Sequence, residues 1–276
     1  MTRPRIAFIG GGNMAHSLIA GLVADGHEAS LLTVSDPLAE RRDQLAAGFG
    51  INVTPDNGSA VAAADVIVLC VKPQSAPSVC RALASSLPEP TPLVISIMAG
   101  VAEASIADWL GRPVPLVRAM PNTPVMVQSG AIGLHATELA TSEQRNLAEE
   151  IMRAGGLTRW VQDEAALDVV TAVSGSGPAY FLLFMEALEN AAIEQGLDAD
   201  AARLLSIQTA LGAARMAVES DESPHQLRQR VTSPGGTTEQ ALRVFEDGGF
   251  EPLVRRAVAA ARQRAAELSQ LLGENQ

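Results

Sequence analysis

Lysine is nearly absent from this sequence: Lys72 is the one lysine among 276 residues, and every other basic residue is an arginine. The 20 basic residues are outnumbered by 31 acidic ones, which gives a formal net charge of −11. An acidic balance disfavours non-specific binding to nucleic acid or to anionic membranes. The chain also has no run of about 18 consecutive apolar residues, as a membrane span would need. We therefore expect neither nucleic-acid nor membrane partners.

Cysteine and histidine are also scarce. Cys70 and Cys80 have neither CxxC spacing nor a nearby histidine cluster, and the four histidines are scattered singly. We therefore expect two structural thiols and no metal site. The apolar run that follows the basic start MTRPR is too short for the h-region of a signal peptide, so we expect a cytoplasmic location.

The chain is about long enough for two domains of roughly 100 to 200 residues each. From Arg5 to about Gln162, β-branched runs alternate with amphipathic helical stretches, which is typical of a parallel sheet covered by helices. The predicted strands are RIAFIG, ASLLTVS, DVIVLCV, PLVISIM, PLVRAM, GAIGLH and TRWVQ, and the predicted helices include residues 14–25, 37–48, 74–86 and 142–154. We predict an α/β chain with a doubly wound domain over residues 1–165 and an all-helical domain over residues 166–276.

One helix of the second half is unusually apolar. The segment AYFLLFMEALENAAIEQG follows Pro178 and is apolar around most of its circumference in its first two turns. Such a helix is expected to be buried. A domain of about 110 residues buries a central helix more easily when two copies pack together, so we predict a homodimer formed through this half. The alternative is a helix enclosed within one subunit.

The first predicted strand runs directly into Gly10-Gly11-Gly12-Asn13-Met14-Ala15, which matches the pattern GxGxxA. Gly10 permits a tight turn, Gly12 lets the backbone approach a pyrophosphate, and Ala15 lets helix and strand pack closely. The phosphates would meet the free N–H groups at the helix N-terminus. This strand-turn-helix context predicts a dinucleotide-binding domain of the Rossmann type.

The residue that selects between NADH and NADPH is ambiguous in the sequence. Asp36, at the end of the second strand, is placed to accept hydrogen bonds from the ribose hydroxyls of NADH. It is equally placed to cap the following helix, which would leave Ser35 with Arg41 or Arg42 to receive a 2′-phosphate. We favour NADPH, with NADH as the alternative.

Further strand ends are expected to line the nicotinamide half of the site. They carry Val71-Lys72-Pro73, Ala99-Gly100 and Pro121-Asn122-Thr123-Pro124. Lys72 is a candidate acid, but a lysine at a strand end more often positions a cofactor or is solvated.

The segment VTSPGGTTEQAL, from Val231 to Leu242, has four hydroxyl residues and two glycines in front of an amphipathic helix. The spacing of Thr237 and Gln240 predicts a capping box, with the helix beginning near Thr238. Its first N–H groups, near Gly236 and Thr237, are suited to a small carboxylate. The alternative is a helix that is simply well capped. SGSGPAY is a second turn of the same kind and has the same two interpretations. We favour a packing device that also borders the pocket, with Ser176 as N-cap and glycines that allow close approach.

Five segments, in order over nearly the full chain, resemble the motifs of the pyrroline-5-carboxylate reductase family: FIGGGNMA, VKPQ, MPNTP, AVSGSGPAY and VTSPGGTTEQAL. The resemblance implies a Rossmann domain followed by a helical dimerisation domain. It implies hydride transfer from NAD(P)H to the C=N carbon of Δ1-pyrroline-5-carboxylate, giving L-proline in the last step of proline biosynthesis. Family members commonly assemble as a pentamer of dimers, a decamer, with each active site between one subunit's cofactor and the partner's SPGGTT loop.

The resemblance also implies roles for residues at matching positions. A protonated cyclic imine is already electrophilic, so the protein mainly needs to orient it. Thr238 is implied as the catalytic residue, hydrogen-bonded to the ring nitrogen. The implied cofactor contacts are Gly10, Gly12, Asn13, Met14, Ser35, Asn57, Val71, Lys72, Pro73, Ala99 and Gly100. The implied substrate contacts are Val231, Ser233, Gly236, Thr237 and Thr238.

One residue departs from the family pattern, and two other functions stay open. Met98 occupies a position where the family usually has a smaller residue such as alanine, and its side chain points either at the nicotinamide or into the helix layer. The first alternative is another imine reductase or a β-hydroxyacid dehydrogenase. β-Hydroxyacid dehydrogenases characteristically have a catalytic lysine in the second domain, and this chain has no lysine there. A nicotinamide-binding regulatory protein without turnover is the other alternative.

Overall fold

The structure is a computed structural model that describes residues 3–274. They form two compact units. The first comprises the chain up to Ser176 together with the residues from Ala261 onward, and the second comprises Gly177–Ala260. The domain boundary expected between residues 165 and 166 stays a prediction about the chain's organisation.

The first unit is built on one sheet, which has eight strands in the described residues. The strands are β1 (Ile6–Ile9), β2 (Leu32–Ser35), β3 (Asn52–Thr54), β4 (Val66–Leu69), β5 (Leu93–Ser96), β6 (Leu116–Met120), β7 (Gly130–Ala136) and β8 (Gly156–Trp160). Their order across the sheet is β3-β2-β1-β4-β5-β6-β7-β8. The chain thus extends from β1 in one direction and then returns to continue at β4 in the other. In such open sheets, ligands bind at the carboxyl ends of the strands where the order reverses.

Helices account for the remaining regular structure. Those that lie wholly in the first unit are α1 (Asn13–Ala24), α2 (Ala39–Phe49), α3 (Asn57–Val61), α4 (Ala76–Leu83), α5 (Glu103–Trp109), α6 (Ser142–Arg153) and α7 (Ala166–Val170). The rest are α8 (Gly177–Glu194), α9 (Ala199–Glu219), α10 (Pro224–Arg230), α11 (Thr237–Asp247) and α12 (Phe250–Glu274). The predicted α/β class, with an all-helical second part, is confirmed.

The sheet is covered on both faces. Along β1, Ile6 and Phe8 pack in one buried cluster, whereas Ala7 and Ile9 pack in another. Successive strand residues point to opposite faces, so these two clusters are the two layers between sheet and helices. Strands buried on both faces read as continuous apolar runs, which explains why RIAFIG and DVIVLCV were recognisable as strands.

The last two strands of the described sheet, β7 and β8, run opposite to the other six. β7 is antiparallel to β6, whereas the remaining neighbours in the sheet are parallel. The connection from Met120 to Gly130 holds only a short 3₁₀ turn, Thr123–Val127. A parallel return needs a crossover of a dozen or more residues, so this link is too short for one.

The predicted strands all overlap observed ones, but β3 was missed. This strand is the three-residue segment NVT at the sheet edge, and it is exposed or half-buried. It has no apolar run, so its composition alone does not predict that it pairs with β2.

The predicted turn at SGSGPAY is wrong. Residues Thr171–Gly175 form a π-helical turn, and Ser176 has the helical angles φ −86° and ψ −22°. A residue with these angles is not an N-cap, which requires extended backbone. The expectation of close packing holds for Gly175, because a Cβ added there would lie 2.9 Å from Met120 Cε.

Candidate active site

The glycine loop after β1 has the geometry of a phosphate cradle. Gly10 has φ +101°, and a Cβ added to it would lie 2.8 Å from the Cys70 carbonyl oxygen. Its N–H donates to the Ser35 carbonyl oxygen at 2.7 Å. Only glycine fits this position, because both the positive φ and the close backbone approach exclude a side chain.

The next part of the loop leaves open space at a helix N-terminus. A Cβ added to Gly12 would meet no atom within 4 Å. α1 begins at Asn13 with no side-chain cap on Gly12 and no acidic residue in its first turn. The first amides of α1, including those of Asn13 and Met14, therefore lack an intrahelical acceptor. This uncapped N-terminus, with room beside Gly12, fits a nucleotide diphosphate.

Asp36, at the end of β2, is turned inward. Its Oδ2 accepts a hydrogen bond of 2.8 Å from the Gly11 N–H, and its Oδ1 accepts one of 2.9 Å from the Leu38 N–H. The side chain is 3% exposed. Arg41 Nη1 lies 3.5 Å from Oδ2, and Arg42 Nη1 donates to the Asp36 carbonyl oxygen at 2.7 Å. The predicted capping of α2 by Asp36 is wrong: α2 begins at Ala39, its N-cap is Leu38, and no side chain caps it, so Asp36 bonds the amide of the residue before the helix.

The bonds of Asp36 to the Leu38 and Gly11 amides were not predicted from the sequence. The sequence does show an acidic residue at the end of this strand. Its hydrogen-bond partners depend on its side-chain rotamer, which the sequence does not specify. Beside it, the Ser35 hydroxyl donates to Asn57 Oδ1 at 2.6 Å, which joins the end of β2 to the first residue of α3.

The predicted cofactor residues converge at one edge of the sheet. In register, Ile9 pairs with both Ser35 and Leu69, and Leu69 pairs with Ser96, so the carboxyl ends of β1, β2, β4 and β5 are level. Gly10, Gly12, Asn13, Met14, Ser35, Val71, Lys72, Pro73, Ala99 and Gly100 follow or end these strands, and Asn57 follows β3. Lys72 and Ala99 are exposed at this edge, and Lys72 begins a short 3₁₀ turn at Pro73.

Met98 does not face the cofactor edge. Its side chain is 3% exposed and belongs to the buried cluster that also contains Ile9, Leu69 and Trp109. The departure from the family pattern is therefore a feature of the helix layer.

Asn122, expected at the nicotinamide half, is committed to the backbone. It is buried, its Nδ2 donates to the Ser174 carbonyl oxygen at 2.9 Å, and its Oδ1 accepts from the Ala131 N–H at 2.9 Å. This arrangement uses both ends of the amide to join the end of β6, the start of β7 and the π turn.

Both cysteines are poor nucleophiles. Burial raises the pKa of the Cys80 thiol to about 12 and raises the pKa of the Cys70 thiol still further above its ordinary range. Neither forms a disulfide in the described part of the chain. The interpretation as structural thiols agrees with these environments.

The glycine-rich loop of the second unit precedes α11. Gly235 has φ +72°, and Gly236 is the N-cap of α11, with φ −81° and ψ 172°. The Gly236 N–H donates to the Ser233 carbonyl oxygen at 3.0 Å, and the Gly235 N–H donates to Glu239 Oε2 at 2.9 Å. The loop is thus held by its own hydrogen bonds.

The predicted capping box of α11 is wrong. The helix begins at Thr237 rather than Thr238, and no side chain caps it. Because the N-cap is a glycine one position earlier, Thr237 lies in the first turn and has no helix N–H to cap. The amides of Thr237, Thr238 and Glu239 therefore lack intrahelical acceptors. Thr237, Thr238, Ser233 and Val231 are all exposed.

The second unit carries a large apolar surface. In the single chain, Phe181, Leu182 and Leu183 of α8 are more than 60% exposed. The alternative of a helix enclosed within one subunit is therefore wrong. Phe184, Phe245 and Phe250 form an aromatic cluster that lines a groove of about 460 Å³. By length and composition, one stretch among the described residues, Ala166–Glu194, is also long and apolar enough to cross a membrane. An exposed run of large apolar side chains such as Phe181, Leu182 and Leu183 marks an interaction surface.

These features define a class of protein: an oxidoreductase with a Rossmann-type sheet whose glycine loop and helix N-terminus suit a nicotinamide dinucleotide. Residues 5–100 match the family described as NADP oxidoreductase, coenzyme F420-dependent, and residues 164–268 match the family described as pyrroline-5-carboxylate reductase dimerisation. The chain belongs to the pyrroline-5-carboxylate reductase family. The dimerisation match also supports self-association.

Full-length relatives carry the same name. The chain is 52% identical to a pyrroline-5-carboxylate reductase of Pseudomonas aeruginosa, over 99% of this chain and 100% of that protein. It is 44% identical to one of Vibrio alginolyticus, over 98% and 100%. Among solved structures, one from Coxiella burnetii has a TM-score of 0.94 at 48% identity, covering 97% of this chain and 99% of the other. One from Plasmodium falciparum, with NADP bound, has a TM-score of 0.85 at 28% identity, covering 98% and 99%.

Proposed function

We propose that this chain reduces Δ1-pyrroline-5-carboxylate to L-proline with NADPH, holding the nucleotide at the carboxyl edge of the sheet and the substrate at the loop before α11. Full-length identity to reductases of this name supports the reaction. The observation that carries the choice of NADPH is the inward-turned carboxylate of Asp36. A bound nicotinamide supplies the hydride, and the protein supplies orientation and charge.

The adenosine end of the nucleotide lies, in this proposal, beside β2. Both carboxylate oxygens of Asp36 accept backbone N–H groups and the side chain is 3% exposed, so the carboxylate is turned away from the ribose hydroxyls through which NADH is selected. Arg41 is half-exposed at the same strand end, next to Arg42. A 2′-phosphate would meet these two guanidinium groups. Because the Ser35 hydroxyl donates to Oδ1 of Asn57, the Nδ2 group of Asn57 would be a further donor to the phosphate.

The diphosphate and nicotinamide follow along the same edge. The amides of Asn13 and Met14 would bind the diphosphate at the N-terminus of α1, and the missing side chain of Gly12 leaves room for it. The remaining assigned residues would border the nicotinamide from the ends of β4 and β5: Val71, Lys72, Pro73, Ala99 and Gly100. Lys72 acts as an exposed cation that positions the nucleotide, not as an acid.

The substrate carboxylate would be bound at the N-terminus of α11. The amides of Thr237 and Thr238 point away from the helix with no intrahelical acceptor, and the helix dipole favours an anion there. Gly236 assists by having no side chain, since its own N–H already donates to Ser233. Val231 and the Ser233 hydroxyl would border the ring of the substrate.

Thr238 is the proposed catalytic residue. Its hydroxyl would hydrogen-bond the ring nitrogen and so fix the C=N carbon in front of the hydride donor. The imine arrives protonated, so the site needs orientation more than a strong acid or base. This is consistent with a loop whose one ionisable side chain, Glu239, is already bonded to Gly235 and paired with Arg243.

The active form is proposed to be at least a homodimer, with a decamer of five dimers as the larger assembly. The apolar surface of α8 supports this, because a second copy would remove Phe181, Leu182 and Leu183 from water. A partner subunit explains this surface better than a membrane, since the dimerisation match covers the same helix. The unpaired Cys70 and Cys80 are consistent with the reducing cytoplasm, which completes the proposal.

The decisive experiment measures oxidation of NADPH and NADH with Δ1-pyrroline-5-carboxylate by the wild type and by Thr238→Ala. We expect turnover by the wild type and a loss of about 10-fold or more in kcat/KM for the variant, which is about 1.4 kcal/mol or more of transition-state stabilisation.

The matched control is Thr232→Ala in the same loop, whose hydroxyl donates to the Arg228 carbonyl oxygen. It should retain kcat/KM within about threefold. Nucleotide binding without turnover would point to the regulatory alternative, and full activity of Thr238→Ala would remove Thr238 from the mechanism.

A further inference from the structure

We propose that Asp36 is a positioning residue for the diphosphate loop, one that fixes the Gly11 amide and thereby supports NADPH and NADH equally. The inference rests on the proposed function for its ligand. It assigns Asp36 a role opposite to the one that an acidic residue at the end of β2 usually has, which is to select NADH through the ribose.

The bond to Gly11 closes a set of hydrogen bonds between β2 and the loop. The Gly10 N–H donates to the Ser35 carbonyl oxygen, and the Gly11 N–H donates to Asp36 Oδ2 at 2.8 Å. Two consecutive loop amides are thus bound by the last residue of β2, Ser35, and by the residue that follows it, Asp36. The third glycine, Gly12, is the N-cap of α1 and has open space beside it. In this proposal the nucleotide diphosphate occupies that space, next to the first N–H groups of α1.

The surroundings of Asp36 fix this orientation. Its N–H donates to the Thr54 carbonyl oxygen at 3.2 Å, and its Oδ1 accepts from the Leu38 N–H. The side chain is 3% exposed, so water cannot replace either bond cheaply. Gly11 packs closely against the side chains beside it, since a Cβ added there would lie 2.9 Å from Leu45 Cδ1 and 3.4 Å from Asp36 Cβ.

Pre-ordering of the loop matters for binding. A loop that is ordered before the nucleotide arrives does not lose conformational entropy on binding, so affinity for any dinucleotide rises. The diphosphate is common to NADH and NADPH. A residue that acts through Gly11 must therefore change the affinity for both nucleotides by the same factor, whereas a residue that reads the ribose changes one of them.

The test is Asp36→Asn, which keeps the shape but puts an NH₂ group opposite one of the two N–H donors. We expect KM and the fluorescence-titration Kd for NADPH and NADH to rise together, each by about tenfold, with kcat within about threefold. The ratio of the Kd for NADH to the Kd for NADPH should change by less than about threefold, because the ion pair between Arg41 and Asp36 is long and half-exposed and therefore weak.

Two controls sharpen the result. Asp43→Asn removes the same charge from an exposed position of α2 and should leave both nucleotides unaffected. Arg41→Ala should raise KM for NADPH alone. A rise confined to NADH in Asp36→Asn would overturn the proposal in favour of ribose recognition, and no change with either nucleotide would overturn it as well.

A measurement on the wild type covers the case in which Asp36→Asn does not fold. Hydrogen exchange of the Gly11 amide in the nucleotide-free protein should be slow, as for a buried bonded amide. Fast exchange at Gly11 would contradict a pre-ordered loop. Because fluorescence titration needs no substrate, nucleotide binding without turnover would refute the proposed reaction and leave the role of Asp36 open to the same test.

Discussion

Asn122 Nδ2 donates a hydrogen bond of 2.9 Å to the Ser174 carbonyl oxygen. In a regular α-helix this carbonyl would accept the N–H of residue 178. Residue 178 is a proline and has no N–H to donate. The π turn at Thr171–Gly175 and the Asn122 side chain together accommodate that proline. The MPNTP and SGSGP segments, far apart in sequence, thus meet in one hydrogen bond.

We expect Asn122→Ala to lower the free energy of unfolding by about 1–3 kcal/mol, because it removes the partners of the Ser174 carbonyl and the Ala131 N–H, both of which are half-buried. Urea unfolding at fixed protein concentration measures this loss. The control is Asn52→Ala, which also loses bonds to backbone carbonyls but at an exposed site, where water replaces them. Equal losses in the two variants would refute the role given to Asn122.

Three glycine-to-alanine variants separate folding from binding. Gly10→Ala should destabilise the protein by at least about 2 kcal/mol, since it combines φ +101° with a backbone clash at Cys70. Gly12→Ala should fold with stability within about 1 kcal/mol of wild type and yet bind NADPH more than about tenfold more weakly, because its Cβ enters the open space at α1.

Gly48→Ala is the matched control for both glycines. It lies in α2 with nothing within 4 Å of an added Cβ, so it should gain about 0.5–1 kcal/mol of stability and leave binding unchanged. Thermal unfolding and fluorescence titration measure the two properties. Unchanged NADPH affinity in Gly12→Ala would place the diphosphate elsewhere.

The sequence predicted most of the fold because its signals are local. Continuous apolar runs such as the one from Ile6 to Ile9 identify buried parallel strands, and GGGNMA identifies the loop. The features that it did not predict depend on distant partners. β3 is defined by pairing with β2, and the direction of the Asp36 side chain is defined by Gly11 and Leu38.

The two errors at helix starts have a similar cause. Thr237 and Gln240 fit a capping box by spacing, but the backbone of Gly236 takes the N-cap position. Ser176 fits an N-cap by type, but a tertiary bond to Asn122 lets the helix pass through a π turn instead. Local patterns state which residues are able to cap, and the chain's tertiary bonds decide which one does.

Stability should fall as pH rises above about 8.5, the ordinary pKa of a thiol in an unfolded chain. Burial raises the folded pKa of Cys80 to about 12 and that of Cys70 further, so the native state keeps two protons that the unfolded state loses. Each thiol then lowers the free energy of unfolding by up to about 1.4 kcal/mol per pH unit.

Urea unfolding between pH 8 and pH 10 tests this prediction. Cys80→Ala should show a shallower dependence than wild type, and the double variant with Cys70→Ala a shallower one still. A double variant with the wild-type slope would assign the effect to other groups. The comparison uses slopes, so a constant loss from the smaller side chain at residue 80 does not affect it.

The apolar face of α8 predicts the oligomeric state. Leu183 is 66% exposed in the single chain, and a glutamate there would be desolvated without a partner in a dimer interface. We expect Leu183→Glu to shift the protein toward the monomer mass in light scattering after size exclusion. Leu157→Glu is the matched control, because Leu157 is 74% exposed on β8 of the first unit and lies outside the dimerisation match.

Two results would contradict this assignment of the interface. If Leu183→Glu keeps the wild-type mass, α8 is not the interface. If Leu157→Glu dissociates instead, the contact lies at the sheet edge. Loss of activity in the monomer would further show that the reaction needs the assembled form.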